Sequence, residues 1–215
     1  MNVCGIDEAG RGPVIGPLVI CGVMVDEKDI PKLKAIGVKD SKLLTPRRRE
    51  QMAAQIEMVA KHAFQIVTPK EIDETLRSDS MNLNWLEAVR TAMIINELKP
   101  EVAILDCPSN NIKAYKEYLK VYLENKELDL KADHKAESKY EVVAAASILA
   151  KVMRDREVEG IRAATGIDFG SGYSSDPKTR AALEEVLEKH PGILRHEWAT
   201  IKKTKGMKKL SEFKE

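Results

Sequence analysis

The sequence predicts an α/β fold, a sheet built from strands that alternate with helices and a lobe of helices behind it. Short apolar runs at residues 3–7, 18–25 and 102–106 have strand length, and the first and third end in carboxylates. Segments with three- and four-residue apolar spacing separate the later runs. Beyond residue 165 every periodic segment is helical. The expected division is an α/β core over 1–165 and a loop-and-helix extension over 166–215, forming one compact unit with the core.

The elements follow in order. Residues 3–7 and 18–25 form two strands joined by a glycine turn, a long hairpin. Thr45 and Pro46 supply an N-cap and a first-turn proline for a helix reaching about residue 61. A third strand follows at 62–67, and 82–98 is a helix that stops before Pro100. Residues 102–106 repeat the grammar of 3–7. A helix at 112–123 and a short strand at 128–132 lead to a long helix over 136–164. Residues 165–176, with Gly166, Gly170 and Gly172, are a loop, and helices cover 177–189 and 197–203.

The chain has 215 residues, 43% hydrophobic and 32% charged. No stretch approaches the ~20 apolar residues that span a bilayer. Met1-Asn2 leads straight into the first carboxylate motif, so a signal peptide is not expected and the expected compartment is the cytoplasm. Cys4, Cys21 and Cys107 lack zinc-like spacing and read as reduced core thiols. A net charge of +1 does not announce a nucleic-acid partner. Residues 42–49 hold four positive charges and no negative ones, and 198–215 hold six lysines against two glutamates. Such runs bind nucleic acid only if they flank the carboxylates; otherwise they are solvated faces. No feature demands an interface, so a monomer is the default.

Two strands ending in Asp7-Glu8 and Asp106 put three carboxylates at one edge of the sheet. Clustered carboxylates without histidine partners suit hard, oxygen-preferring Mg²⁺ or Mn²⁺, two ions of which can activate water and stabilise a leaving oxygen at a phosphate. Gly10-Arg11-Gly12 follows at once, offering N–H groups and a guanidinium to an anion. On a helix, Glu137, Tyr140, Ala144, Ser147 and Lys151 share one stripe, on which Ser147 can donate a hydrogen bond and Lys151 can reach a phosphate. Tight helix packing through Ala144-Ala145-Ala146 is the competing reading of that stripe. Tyr173, in a glycine loop, displays a ring for stacking on a sugar or base.

Together these segments closely resemble type 2 ribonuclease H (ribonuclease HII), in its archaeal and eukaryotic branch, from residue 3 to about 204. The carriers are Gly5-Ile6-Asp7-Glu8-Ala9-Gly10-Arg11-Gly12, Lys39-Asp40-Ser41-Lys42-Leu43, Leu105-Asp106, His134-Lys135-Ala136, Ala144 to Ile148 with Ala150-Lys151-Val152, and Gly170-Ser171-Gly172-Tyr173 with Ser175-Asp176-Pro177. The resemblance implies a ribonuclease H-like mixed sheet flanked by helices. It also implies an endoribonuclease that cuts the RNA strand of RNA–DNA hybrids and the 5′ side of ribonucleotides embedded in duplex DNA. The implied chemistry is two-metal hydrolysis leaving a 5′-phosphate and a 3′-hydroxyl, in ribonucleotide and primer removal. Asp7, Glu8 and Asp106 match three of the family's four metal-binding carboxylates. Gly10, Arg11 and Gly12 match the loop that reads the ribose 2′-OH, and Tyr173 the tyrosine at the ribose–deoxyribose junction. Ser41, Lys42, Ser147 and Lys151 match positions near the nucleic-acid backbone.

The chain departs from the pattern in two places. After His-Lys-Ala the family usually has Asp, then two residues, then Tyr-Pro; here Glu137 and Tyr140-Glu141 stand instead. Glu137 is the favoured fourth carboxylate and Asp133 the nearby alternative. Were Glu137 to spoil the metal site, the chain would be a non-catalytic hybrid-binding protein, a reading that four acidic positions oppose. In the tail, Met207, Leu210 and Phe213 hold the spacing of a motif for the replication sliding clamp, with methionine in place of glutamine. A basic tail lying on DNA, or simply solvated, competes with clamp binding.

Overall fold

The structure is a computed structural model that describes residues 1–39 and 45–212, with side chains through Gly206. Ser41 and Lys42 lie outside the described residues, as do Phe213 and the side chains of Met207 and Leu210. The elements run β1 (Asn2–Ala9), β2 (Leu18–Asp26), α1 (Ile30–Ile36), α2 (Pro46–Val59), β3 (Lys61–Val67), α3 (Pro69–Arg77), α4 (Leu83–Leu98), β4 (Val102–Asp106), α5 (Ile112–Val121), β5 (Asp129–Asp133), α6 (Glu141–Thr165), α7 (Pro177–Lys189) and α8 (Ala199–Glu212). Among the described residues no helix is long and apolar enough to cross a membrane.

The chain folds as two compact units. The first holds Met1–Ala9, Val19–Ile66 and Leu83–Met153; the second holds Gly10–Leu18, Val67–Asn82 and Arg154–Glu215.

In the first unit the sheet has five strands in the order β3-β2-β1-β4-β5. β1 and β2 are an antiparallel hairpin, while β1–β4 and β4–β5 are parallel. This is the mixed sheet that the resemblance implies. A strand sends successive side chains to opposite faces, and two glycines show what covers each face. A Cβ on Gly5 would overlap the backbone of Val142 and Val143, so α6 lies directly on β1. A Cβ on Gly22 would overlap the Ile94 side chain, so α4 covers the other side. Val3, Val23 and Ile104 pack with Val143, Ala146 and Leu149 of α6 in one core cluster. Helix α2 opens as its sequence indicates, with Pro46 in the first turn and the Thr45 hydroxyl accepting from the Arg48 N–H at 3.3 Å.

The second unit has its own core, in which Val14 and Ile15 meet Val158, Phe169, Leu183, Val186 and Leu194. Its loops are tied by backbone bonds. Val14 and Ile15 N–H donate to Gly172 O at 2.8 and 3.2 Å, and Gly16 N–H donates to Ile193 O at 2.9 Å. Asp176 caps α7, accepting from the Lys178 N–H at 2.9 Å, and its other oxygen takes the Ser171 N–H at 2.7 Å. Helix α3 carries a reciprocal cap: Glu71 N–H donates to Thr68 Oγ1 at 3.3 Å and Thr68 N–H to Glu71 Oε2 at 2.8 Å.

Candidate active site

Strand parity places the first carboxylates. Gly5 faces α6, so Asp7, two residues on, faces α6 as well. Gly5 pairs with Ile104 across the parallel β1–β4 ladder, so Asp106 leaves the neighbouring strand on that same face. The side chains of Asp7 and Asp106 therefore project toward α6 from adjacent strand ends. Asp7 is 8% exposed. Burial raises its pKa to about 6; the Ser147 side chain and the Glu8 N–H oppose that rise, while the Asp106 charge adds to it. The Glu8 N–H bond to Asp7 Oδ1 is 2.7 Å long.

Glu8 takes the other parity. Its charge acts on Cys107 and Tyr115. The adjacent acids of the sequence motif thus share a strand end but diverge across the sheet.

The expected long helix from residue 136 is corrected here. Residues Ala136–Ser138 form a 3-10 turn, and α6 starts only at Glu141. Lys135 sits in the left-handed region with φ 56°, and the Ala136 N–H, which would otherwise enter a helix, donates to Asp106 Oδ1 at 3.1 Å. Glu137 and Tyr140 are consequently not on a helical stripe with Ser147 and Lys151. The turn nevertheless brings Glu137 to Asp106: burial first, and then the Glu137 carboxylate, raise the Asp106 pKa. Asp133 is occupied differently, accepting from Tyr140 Oη at 3.2 Å and pairing with Lys139 Nζ at 3.3 Å.

Ser147 and Lys151, one turn apart on α6, do share a face, and Lys151 Nζ donates to Ser147 Oγ at 2.9 Å. The Ser147 hydroxyl and the Lys151 charge both act on Asp7. The result is a row of candidate oxygen donors, Asp7, Asp106 and Glu137, backed by a hydroxyl and an ammonium. Among the described residues no three His, Cys, Asp or Glu side chains enclose an ion position. The row still fits a hard divalent cation. Its donors are all oxygen, its charges crowd one another, and Mg²⁺ normally takes only one or two carboxylates from protein and completes its shell with water and phosphate.

Gly10, Arg11, Gly12 and Tyr173 lie in the second unit. Gly10 has φ 83°, and a Cβ there would come within 2.7 Å of Pro17 O, so the turn after the acids requires glycine. Gly12 is exposed and Arg11 half-buried. Tyr173, 39% exposed, lies near the same loop: a Cβ on Gly12 would touch its ring at 3.6 Å. Arg154 holds the Tyr173 loop, with Nη2 donating to Ser171 O at 2.6 Å and its guanidinium 5.4 Å from the centre of the Tyr173 ring. Arg162 donates to Gly170 O as well. Sequence reasoning passed over these arginines, and Arg195 with them, because their acceptors are backbone carbonyls that no residue type announces.

The chain matches the family model described as Ribonuclease HII over residues 4–201. It is 48% identical to the ribonuclease HII of Pyrococcus furiosus over 94% of this chain and 91% of that one. Among solved structures it is similar to ribonuclease H2 from Pyrococcus horikoshii OT3, with a TM-score of 0.86, 45% identity, and 94% and 96% of the two chains covered. It is likewise similar to the RNase HII in the PCNA:RNase HII complex from Archaeoglobus fulgidus, with TM-score 0.84, 41% identity, and 92% and 95% covered. A more distant likeness is to Bst-RNase HIII in complex with Mn²⁺, with TM-score 0.82, 25% identity, and 96% and 70% covered.

Proposed function

The chain belongs to the ribonuclease HII family and is a type 2 ribonuclease H, and on that premise we propose that it cuts the RNA strand of RNA–DNA hybrids and the 5′ side of ribonucleotides embedded in duplex DNA. The observation that carries the site is the shared parity of Asp7 and Asp106 on the face of α6, with the Glu137 turn tied to Asp106 by the Ala136 N–H.

Asp7, Asp106 and Glu137 would hold Mg²⁺ or Mn²⁺, and Glu8, expected beside them, would have to reach the ions from the opposite face of β1. Bound there, two ions would supply an activated water and charge stabilisation for the leaving 3′-oxygen. Asp7 and Asp106, both with raised pKa values, would have to be deprotonated to hold a cation. Ser147 keeps Asp7 in place, and Lys151, held by its bond to Ser147, sets a positive charge beside the carboxylates for the scissile phosphate. Ser41 and Lys42 contact the nucleic-acid backbone.

Gly10, Arg11 and Gly12 read the sugar. A backbone N–H that donates to a 2′-hydroxyl finds no acceptor on deoxyribose. Tyr173 stacks at the ribose–deoxyribose junction, its ring held by Arg154. Products with a 5′-phosphate and a 3′-hydroxyl suit ribonucleotide and primer removal during replication and repair. The Archaeoglobus relative is in a complex with PCNA, and a tail contact of the same kind here would use Met207, Leu210 and Phe213. Pull-down with the clamp, lost on Phe213→Ala, tests that contact.

The deciding experiment is cleavage of labelled duplex DNA containing one ribonucleotide, with Mg²⁺, Mn²⁺ or chelator, beside all-DNA and long-hybrid controls. Metal-dependent cutting immediately 5′ of the ribonucleotide is expected. Binding without cutting under either metal would overturn the reading.

A further inference from the structure

Arg195 is fully buried, at 0% exposure. A guanidinium is placed there only at a large cost in desolvation, unless its donors are matched. They are matched by one short loop. Nη2 donates to Gly10 O at 2.5 Å, Nη1 to Arg11 O at 2.8 Å and Nε to Gly16 O at 3.0 Å. The Arg195 backbone N–H donates to Val14 O at 2.9 Å. Three residues on, Trp198 Nε1 donates to Gly12 O at 3.2 Å, and the Arg195 guanidinium lies 5.0 Å from the centre of the Trp198 ring. Two side chains thus gather the carbonyls of Gly10, Arg11 and Gly12 in succession.

That gathering has a direction. In a planar trans peptide the C=O and the next N–H point opposite ways. Drawing Gly10 O and Arg11 O toward Arg195 turns the N–H groups of Arg11 and Gly12 the other way. The segment that does the drawing is itself fixed. Asp73, 3% exposed, accepts the His196 and Glu197 N–H groups at 2.9 Å each, and Glu197 is tied to Arg77 Nε at 2.8 Å.

We propose that Arg195 and Trp198 are the positioning residues of the ribose reader: Arg195 sets the peptide planes that present the Arg11 and Gly12 N–H groups, Trp198 anchors the Gly12–Pro13 peptide that ends the segment, and preference for a 2′-hydroxyl depends on both although neither touches the sugar. The proposal rests on the reading of that loop as the 2′-OH reader. A lysine in place of Arg195 cannot serve, because one ammonium does not span acceptors six residues apart in the way a rigid fork does. Trp198→Phe keeps a ring beneath the guanidinium and removes only the donor to Gly12 O.

The test compares wild type, Arg195→Lys and Trp198→Phe. It measures dissociation constants under chelator for a duplex with one ribonucleotide and for the same all-DNA duplex, and kcat and KM with Mg²⁺ on the first. For Trp198→Phe we expect a normal circular dichroism spectrum, unchanged all-DNA affinity and a ribose-to-deoxyribose affinity ratio lowered about fivefold, the size of one lost hydrogen bond. Arg195→Lys is expected to lose more of the ratio; if it fails to fold, Trp198→Phe alone decides. If wild type favours ribose and a folded Trp198→Phe keeps the full ratio, the positioning role is overturned while the reader stands. If wild type itself shows no ribose preference, the reading of the loop falls, and the positioning role with it.

Discussion

The two units solve opposite problems. In the first, side chains are the working groups and regular backbone aims them: strand parity sends Asp7 and Asp106 to the α6 face, and Ser147 and Lys151 meet one helical turn apart. In the second, side chains hold irregular backbone, which under the proposed function is the working group: Arg154, Arg162 and Arg195 each donate to carbonyls of a glycine loop. The difference teaches that chemistry on charged side chains is served by periodic structure, whereas recognition by peptide groups needs buried donors to hold the peptides still.

The sharpest break in this comparison comes from the carboxylates. Asp7→Asn and Asp106→Asn should each lower cleavage by at least ~10³-fold, on the scale of losing a group that stabilises transition-state charge, while substrate binding persists. Glu137→Ala should approach that loss and Asp133→Ala should fall well short of it, because Asp133 is already engaged by Tyr140 and Lys139. Equal or reversed losses in single-turnover assays would overturn the assignment of the fourth carboxylate to Glu137.

pH separates the units next. The Asp7 pKa is raised to about 6, so the folded metal-free protein holds that proton more tightly than the unfolded chain does. Stability from this group is full below about pH 4 and declines as pH rises to about 6, by up to about 3 kcal/mol. Asp176 is lowered to about 2, chiefly by the Ser171 N–H, so its contribution is full above about pH 4 and is lost as pH falls through 2. Chemical denaturation of metal-free protein should show the first slope, and Asp7→Asn should flatten it without altering the acid limb.

A smaller effect is expected from the reader's ring. Tyr173→Ala should cost about tenfold, from lost stacking, and raise KM more than it lowers kcat. A pure kcat loss would place Tyr173 with the carboxylates instead. The least effect belongs to Glu141, where the family pattern has proline. It pairs with Lys39 at 3.0 Å, and Lys39 also donates to Lys139 O at 2.7 Å. Glu141→Gln should change activity by no more than severalfold, since half-exposed ion pairs contribute about 1 kcal/mol or less.

What was legible in the sequence follows the same split. The strands that carry Asp7 and Asp106 were readable, although the first runs on to Ala9, as were helices such as Pro177–Lys189, because their signals are local: alternation, caps and proline. Helix Pro69–Arg77 was missed although Thr68 and Glu71 stand at capping-box spacing. The 3-10 turn at Glu137 was unreadable because a tertiary bond, Ala136 N–H to Asp106, interrupts a segment with good helical pattern. The divergence of Glu8 from Asp7 was available from strand parity alone, but their adjacency in sequence masked it. Arg195 was beyond reach, since its acceptors lie 179 to 185 positions earlier in the chain.

Gly5 has a consequence for how this protein can change over evolutionary time. With no room for a Cβ between β1 and the Val142 backbone, the helix rests on the strand with nothing between them. The gap from Asp7 to Ser147 and Lys151 is thereby calibrated by a missing atom. Residues around the site can be exchanged one at a time, but any side chain at position 5 would lift the whole helix like a shim under a rail, shifting the hydroxyl and the ammonium together. Gly160 and Gly192, which have open space around them, carry no such veto.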